Sequence, residues 1–100
     1  MSELTYPDLS PKETELIGQW ILRDGEVDVD EVCLRVQYLV NERLQKLGKD
    51  PSGWETLFRD PRDGRYWEHT YPNSSWHGGG PPALINLAHE QVKSKYPDLV

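Results

Sequence analysis

Chemistry in this chain would have to start from its histidines, and there are three: His69, His77 and His89. Their spacings of eight and twelve match no pair of metal ligands on one helical face. His77 opens the run His77-Gly78-Gly79-Gly80-Pro81-Pro82. A His-Gly-Gly-Gly segment can supply oxyanion-stabilising amides in esterases, where it works with a serine on a Gly-x-Ser-x-Gly elbow. The sequence contains no such elbow. A phosphate loop is excluded as well, because two prolines follow where a lysine and a helix are needed. Gly78, Gly79 and Gly80 are therefore expected to be structural, letting the backbone pass close to other segments. The residues leave one enzymatic alternative, a small hydrolase or ligand-binding domain built on the His77 loop with His69 and Glu68 as acid–base groups.

Carboxylates form the other conspicuous pattern. Asp24, Glu26, Asp28 and Asp30 alternate, and with Glu31 they make five acids in eight residues. A calcium loop starting at Asp24 needs Gly at its sixth position and Glu at its twelfth, but Val29 and Arg35 stand there. Of the net charge of −6, residues 1–31 carry −7 and residues 32–100 carry +1. Acids packed this densely repel one another and favour a cationic partner. They disfavour nucleic acid, whose backbone needs clustered Lys and Arg. The aromatics Tyr66, Trp67, Tyr71 and Trp76 do interleave with Arg59, Arg62 and Arg65, a pattern that can stack single-stranded bases. Three arginines are few for that task, and packing within a hairpin accounts better for the rings.

The elements that position these residues follow from periodicity and turn chemistry. Val29, Val32, Cys33, Val36, Leu39, Val40, Leu44 and Leu47 recur at spacings of three and four, which predicts a helix over 29–47. Asp28 and Glu31 would cap its start and Gly48 its end. Cys33 lies on the apolar stripe and is expected to be a buried, inert thiol. Ser10-Pro11 followed by Glu13 resembles a helix start, while the run Leu16–Leu22, with Gly18 inside it and Asp24-Gly25 after it, tilts toward a strand. Trp54–Asp60 and Arg65–Tyr71, joined by Pro61-Arg62-Asp63-Gly64, predict a hairpin. Alternation places Trp54, Thr56 and Phe58 on one face with Leu57 opposite, and separates Glu68 from Trp67, His69 and Tyr71. Ala83–Leu87 fits a last strand and His89–Tyr96 a short closing helix. The fold class expected is α+β, a small antiparallel sheet packed against one long helix, with a short C-terminal helix.

A chain of 100 residues leaves room for a single domain, 1–100, with residues 1–11 as an irregular lead-in. No apolar run approaches the ~20 residues of a membrane span, and the start has no signal-peptide pattern. A lone cysteine excludes an intrachain disulfide. The expected setting is cytoplasmic, and nothing in the residues points to self-association.

One long string carries a resemblance. Asp50-Pro51-Ser52-Gly53-Trp54-Glu55-Thr56-Leu57-Phe58-Arg59-Asp60-Pro61 continues through Asp63-Gly64-Arg65-Tyr66-Trp67-Glu68 and Thr70-Tyr71-Pro72 to His77-Gly78-Gly79-Gly80-Pro81-Pro82. With Leu16-Ile17-Gly18-Gln19-Trp20 and Asp30–Cys33 before it, the chain resembles the immunity protein 27 family of bacterial polymorphic toxin systems over residues 12 to 96. The resemblance implies an α+β protein, encoded beside a toxin gene, that binds the toxin and protects its producer in bacterial competition. It implies no enzymatic activity, and no cofactor and no metal are expected. The partner expected is a cognate protein toxin, with no nucleic acid and no membrane. The acidic segment would suit a basic, nuclease-type toxin, so Asp24, Glu26, Asp28, Asp30 and Glu31 are the expected toxin-facing residues. Trp76 is a candidate aromatic anchor.

Overall fold

Asx-type turns set up the centre of the fold. The structure, a computed structural model, describes residues 6–71 and 80–99. Asp50 Oδ1 accepts from the amides of Gly53 and Glu55, and Asp60 Oδ1 accepts from the amide of Arg62. These turns flank β5 (Thr56–Arg59), which pairs antiparallel with β6 (Tyr66–Thr70) in the register Leu57↔Glu68 and Phe58↔Trp67. The sheet extends to β4 (Gln45–Lys49) on one side. On the other side lie β7 (Ala83–Leu87) and then β1 (Glu15–Ile17). Its order is β1-β7-β6-β5-β4, antiparallel throughout. A separate two-stranded ribbon, β2 (Trp20–Arg23) with β3 (Glu26–Val29), leads into the first helix.

The period-two alternation along β5 and β6 divides two cores. One face carries Trp67, Leu84 and Leu16, which pack with Leu9 and with Val36 and Leu39 of the long helix. The opposite face carries Leu57, covered by Val92 and Tyr96 around the C-terminal helix α2 (His89–Lys95). The architecture is thus α+β, with helices on both faces of one sheet.

The long helix is shorter than its apolar stripe. Helix α1 (Glu31–Tyr38) runs on as a π-helical turn (Leu39–Arg43), closed by the Leu44 amide donating to Leu39 O at 2.8 Å. Leu44 is extended and residues 45–47, expected to close the helix, belong instead to β4. Spacing misleads here because Leu47 is apolar for another reason: it packs against the second core, on the far side of the sheet from α1. Gly48 is not a helix stop but a strand residue at a register shift, pressed so close to Leu99 that a Cβ would lie 2.9 Å from its methyls. The cap also differs from expectation: Asp30, rather than Asp28, accepts from the Cys33 amide at 2.9 Å.

Two further expectations near the N-terminus change. Half of the capping signature at Ser10 forms, since the Ser10 amide donates to Glu13 Oε1 at 2.8 Å, but no helix follows. The Glu13 amide turns back to Ser10 O, and the chain enters β1 to pair with β7. The run Leu16–Leu22 is not one strand but two, broken at Gly18-Gln19 and divided between the two sheets.

Candidate functional site

The acidic residues are carried by the ribbon. Asp24 and Gly25 are its two loop residues, with φ of 53° and 82°, the all-positive turn that twists with its strands and that Asp-Gly favours. Asp24, Glu26 and Glu31 are exposed, while Asp28 and Asp30 are half-buried. The ribbon makes most of its contacts within itself, and Leu22 on β2 is 78% exposed. Asp30 differs from its neighbours in being part of the fold. Burial raises its carboxyl, but the Cys33 and Gln19 amide environment outweighs that and holds it below the usual carboxylate range.

The enzymatic alternative fares poorly on geometry. Glu68 and His69 are adjacent on β6 and therefore point to opposite faces. Glu68 lies beneath α2, where it accepts from Tyr96 Oη at 2.6 Å and pairs with Lys95 Nζ at 2.7 Å. Lys95 also pairs with Glu55, which accepts from Thr70 Oγ1. Burial lowers the Lys95 ammonium, yet the two carboxylates outweigh it and raise it. His69 lies on the α1 face, edge-on to Phe58 and Tyr71, and burial pushes its imidazole toward the neutral form. His77, Gly78, Gly79 and Trp76 lie outside the described residues. Gly80 is described: it is buried, with φ of 75°, a conformation that favours glycine. Among the described residues, no three His, Cys, Asp or Glu side chains gather as a metal site requires.

A cleft of about 420 Å³ opens where the sheet extends past α1. Phe58, His69 and Tyr71 line it with Val40 from the helix, and Lys46, Lys49 and Trp54 stand around it. It continues along α1 past Asn41 and Gln37 to Cys33 and Pro82. Tyr71 and Pro82 bracket residues 72–80 in the chain. Burial raises the Cys33 thiol, which donates to Gln19 O at 3.6 Å, as an inert packed cysteine would.

Two of the arginines that might have stacked bases are engaged elsewhere. Arg65 donates to the Ser10 and Glu13 carbonyls, pairs with Asp63, and lies 4.9 Å from the Trp67 ring centroid. Arg62 faces Asp8 at 3.5 Å. Arg35 binds Glu13 through both terminal nitrogens and also the Pro7 and Asp8 carbonyls, while Arg43 grips the Asp8 carboxylate. These guanidinium groups staple residues 7–13, which lack regular secondary structure, onto the first core through Leu9.

A family model described as Immunity protein 27 matches residues 22–88, the span from the ribbon through α1 to the end of β7. The chain belongs to the immunity protein 27 family. No curated protein and no solved structure matches it. The matched span is shorter than the resemblance over residues 12 to 96 and leaves β1 and α2 outside, although both complete the immunity protein's two cores. Membership supports an immunity function, that is, binding of a cognate toxin. Among the described residues, no helix is long and apolar enough to cross a membrane. Lys46 and Lys49 escaped the sequence reading because Lys46 was assigned to the end of a helix and Lys49 to the residues past its stop; only their place on an edge strand brings them to the cleft that Trp54 and Tyr71 also line.

Proposed function

We propose that this chain is a single-domain, non-catalytic immunity protein that neutralises a cognate bacterial toxin in the cytoplasm by direct contact through its acidic ribbon. The observation that supports the placement is a two-stranded ribbon separate from the main sheet, with Asp24 and Glu26 exposed at its end. A ribbon of this kind supplies binding groups without taking them from the core. Exposed acids of one sign steer a basic partner and suppress like-charged ones, which suits a toxin that itself grips a polyanion, as a nuclease does. Asp28, Asp30 and Glu31 extend the same charge toward the start of α1, and Trp76, outside the described residues, is proposed as an apolar anchor of the toxin contact.

The test is co-expression with the product of the neighbouring toxin-like reading frame. Rescue of growth and a co-purifying complex support the reading. Asp24→Asn with Glu26→Gln should weaken binding at least tenfold with the melting temperature unchanged. Unaltered affinity would remove the ribbon from the toxin contact, and failure of wild type to rescue would remove the immunity reading for that pair.

A further inference from the structure

Asp precedes Gly at two places in this chain, Asp24-Gly25 and Asp63-Gly64. Such a pair carries a latent reaction, because glycine puts no side chain in the way of its own amide nitrogen as it reaches the neighbouring carboxyl. Both glycines sit in turns of positive φ, 82° at Gly25 and 79° at Gly64, but their surroundings differ. At the second pair both reacting groups are tied down. The Gly64 amide donates to Asp60 O at 2.7 Å. The Asp63 carboxylate accepts from the Arg65 amide at 2.9 Å and from Arg65 Nε at 2.7 Å. Burial raises the Asp63 carboxyl, but these Arg65 groups outweigh it and hold it below the usual carboxylate range, where it is a poor electrophile. A Cβ on Gly64 would also lie 3.4 Å from Arg59 Nη2.

The first pair is open. Asp24 and Gly25 are both exposed, and a Cβ on Gly25 would meet no atom within 4 Å. Among the described residues, the Asp24 carboxyl has no hydrogen bond or ion pair, and the Gly25 amide has no backbone partner. The pair forms the loop of a ribbon that belongs to no larger sheet.

We propose that Asp24-Gly25 is a site of spontaneous covalent modification, at which Asp24 isomerises to isoaspartate and the ribbon thereby loses its grip on the toxin. The Gly25 nitrogen bonds to Asp24 Cγ, and the carboxyl hydroxyl leaves with the amide proton as water, closing a five-membered succinimide. Water then adds to one of the two ring carbonyls and breaks its bond to nitrogen. Opening at Cγ returns aspartate, whereas opening at the backbone carbonyl leaves the chain running through Cβ and Cγ. One water leaves and one returns, so the step needs no oxidant and no other reactant. The product keeps its negative charge but lengthens a two-residue loop by one backbone atom, and a loop that short is matched to its strands by its length. The damage therefore falls on the Arg23↔Glu26 closure of the ladder rather than on charge. The consequence for the toxin rests on the ribbon contact proposed above, whereas the chemistry at Asp24 does not.

Peptide mapping of the full chain, incubated for days at neutral pH and then digested, reads the chemistry. Isomeric peptides separate by chromatography, and electron-transfer fragmentation locates the isoaspartate. It should accumulate at position 24 about tenfold faster than at position 63, the factor that one hydrogen bond to a charged group is worth. In urea the two positions should react at similar rates, because the fold is what separates them. Asp24→Asn, which closes the same ring by losing ammonia, should convert faster still. Equal rates at the two positions in the folded protein, or a lead at position 63, would overturn the proposal. The isomerised protein, purified from the fresh one, should then bind the toxin about tenfold more weakly. Equal binding by the two forms would overturn the loss of grip. Failure of the fresh protein to bind would count instead against the immunity reading for that pair, which the mapping result does not touch.

Discussion

Tyr96 donates its phenolic proton to Glu68 Oε2 at 2.6 Å, joining the residue that ends α2 to the middle strand of the sheet. Glu68 is 6% exposed, so its charge is held by this bond and by Lys95 rather than by water. The second core is thus closed by a polar clasp as well as by Leu57 and Val92.

Removing one arm of that clasp should be costly. Tyr96→Phe keeps the ring but leaves the carboxylate short of a donor, a loss of about 1–3 kcal/mol in urea unfolding. Burial and then the Glu68 bond hold the phenol above its ordinary value of 10.0, so the folded state retains this proton more tightly than the unfolded chain. That contribution is whole below pH 10 and declines as pH rises beyond it; the variant should lack this alkaline decline. Equal stability of the two proteins at neutral pH would show that the bond adds nothing.

Glu13 gives the opposite pH signature. The Arg35 guanidinium holds its carboxyl at about 2, against an ordinary 4.5. A depressed carboxyl stabilises the fold above pH 4.5, and that contribution is lost as pH falls toward 2. Glu13→Gln should cost about 1–3 kcal/mol at pH 7, less than the full shift implies because the pair is partly solvated. The gap between variant and wild type should close progressively below pH 4.5 in acid titrations followed by fluorescence. A gap independent of pH would mean that Glu13 acts through packing.

Gly18 should tolerate no side chain. A Cβ there would lie 2.5 Å from Cys33 Sγ and 2.6 Å from the Pro82 carbonyl oxygen, which also accepts from the Gly18 amide at 2.9 Å. Gly18→Ala is expected to cost about 1–3 kcal/mol or more by forcing β1 from its place. Combining it with Cys33→Ala should recover little, because the obstructing carbonyl is backbone. Full recovery in the double variant would assign the whole effect to the thiol.

Among the five acids of the toxin-facing proposal, Asp30 should behave differently. Asp30→Ala removes the cap on Cys33 N and should lower stability by about 1 kcal/mol. Asp24→Asn and Glu26→Gln should change it by less than about 0.5 kcal/mol, being exposed and outside any cap. Thermal unfolding of the three variants separates a binding role from a structural one before any partner is added.

The parts of this fold legible in the sequence are those decided by neighbours in the chain. The Asp24-Gly25 turn, the aromatic hairpin with its two faces, Ala83–Leu87 and the closing helix all follow from local turn chemistry and alternation. What escaped was decided by distant pairing. Leu44 and Leu47 fit a helical stripe, but β5 offered residues 45–49 a ladder and the second core needed Leu47. Ser10 and Glu13 made their local bond, then Arg35 and Arg65 claimed the segment for the outside of the first core. Of the candidate site, the acids were visible as composition. The cleft was not, because its lysines and aromatics meet only after β4 forms.

The ribbon from Trp20 to Val29 holds its shape with two loop residues and its own ladder, and Leu22, Asp24 and Glu26 on it are exposed. Leu22 and Glu26 can therefore be rewritten at little thermodynamic cost. With the toxin contact proposed at the ribbon, a lineage that must keep pace with a changing adversary gains from that partition: stability resides in Trp67, Leu57 and their neighbours, and novelty can accumulate at the exposed ribbon positions.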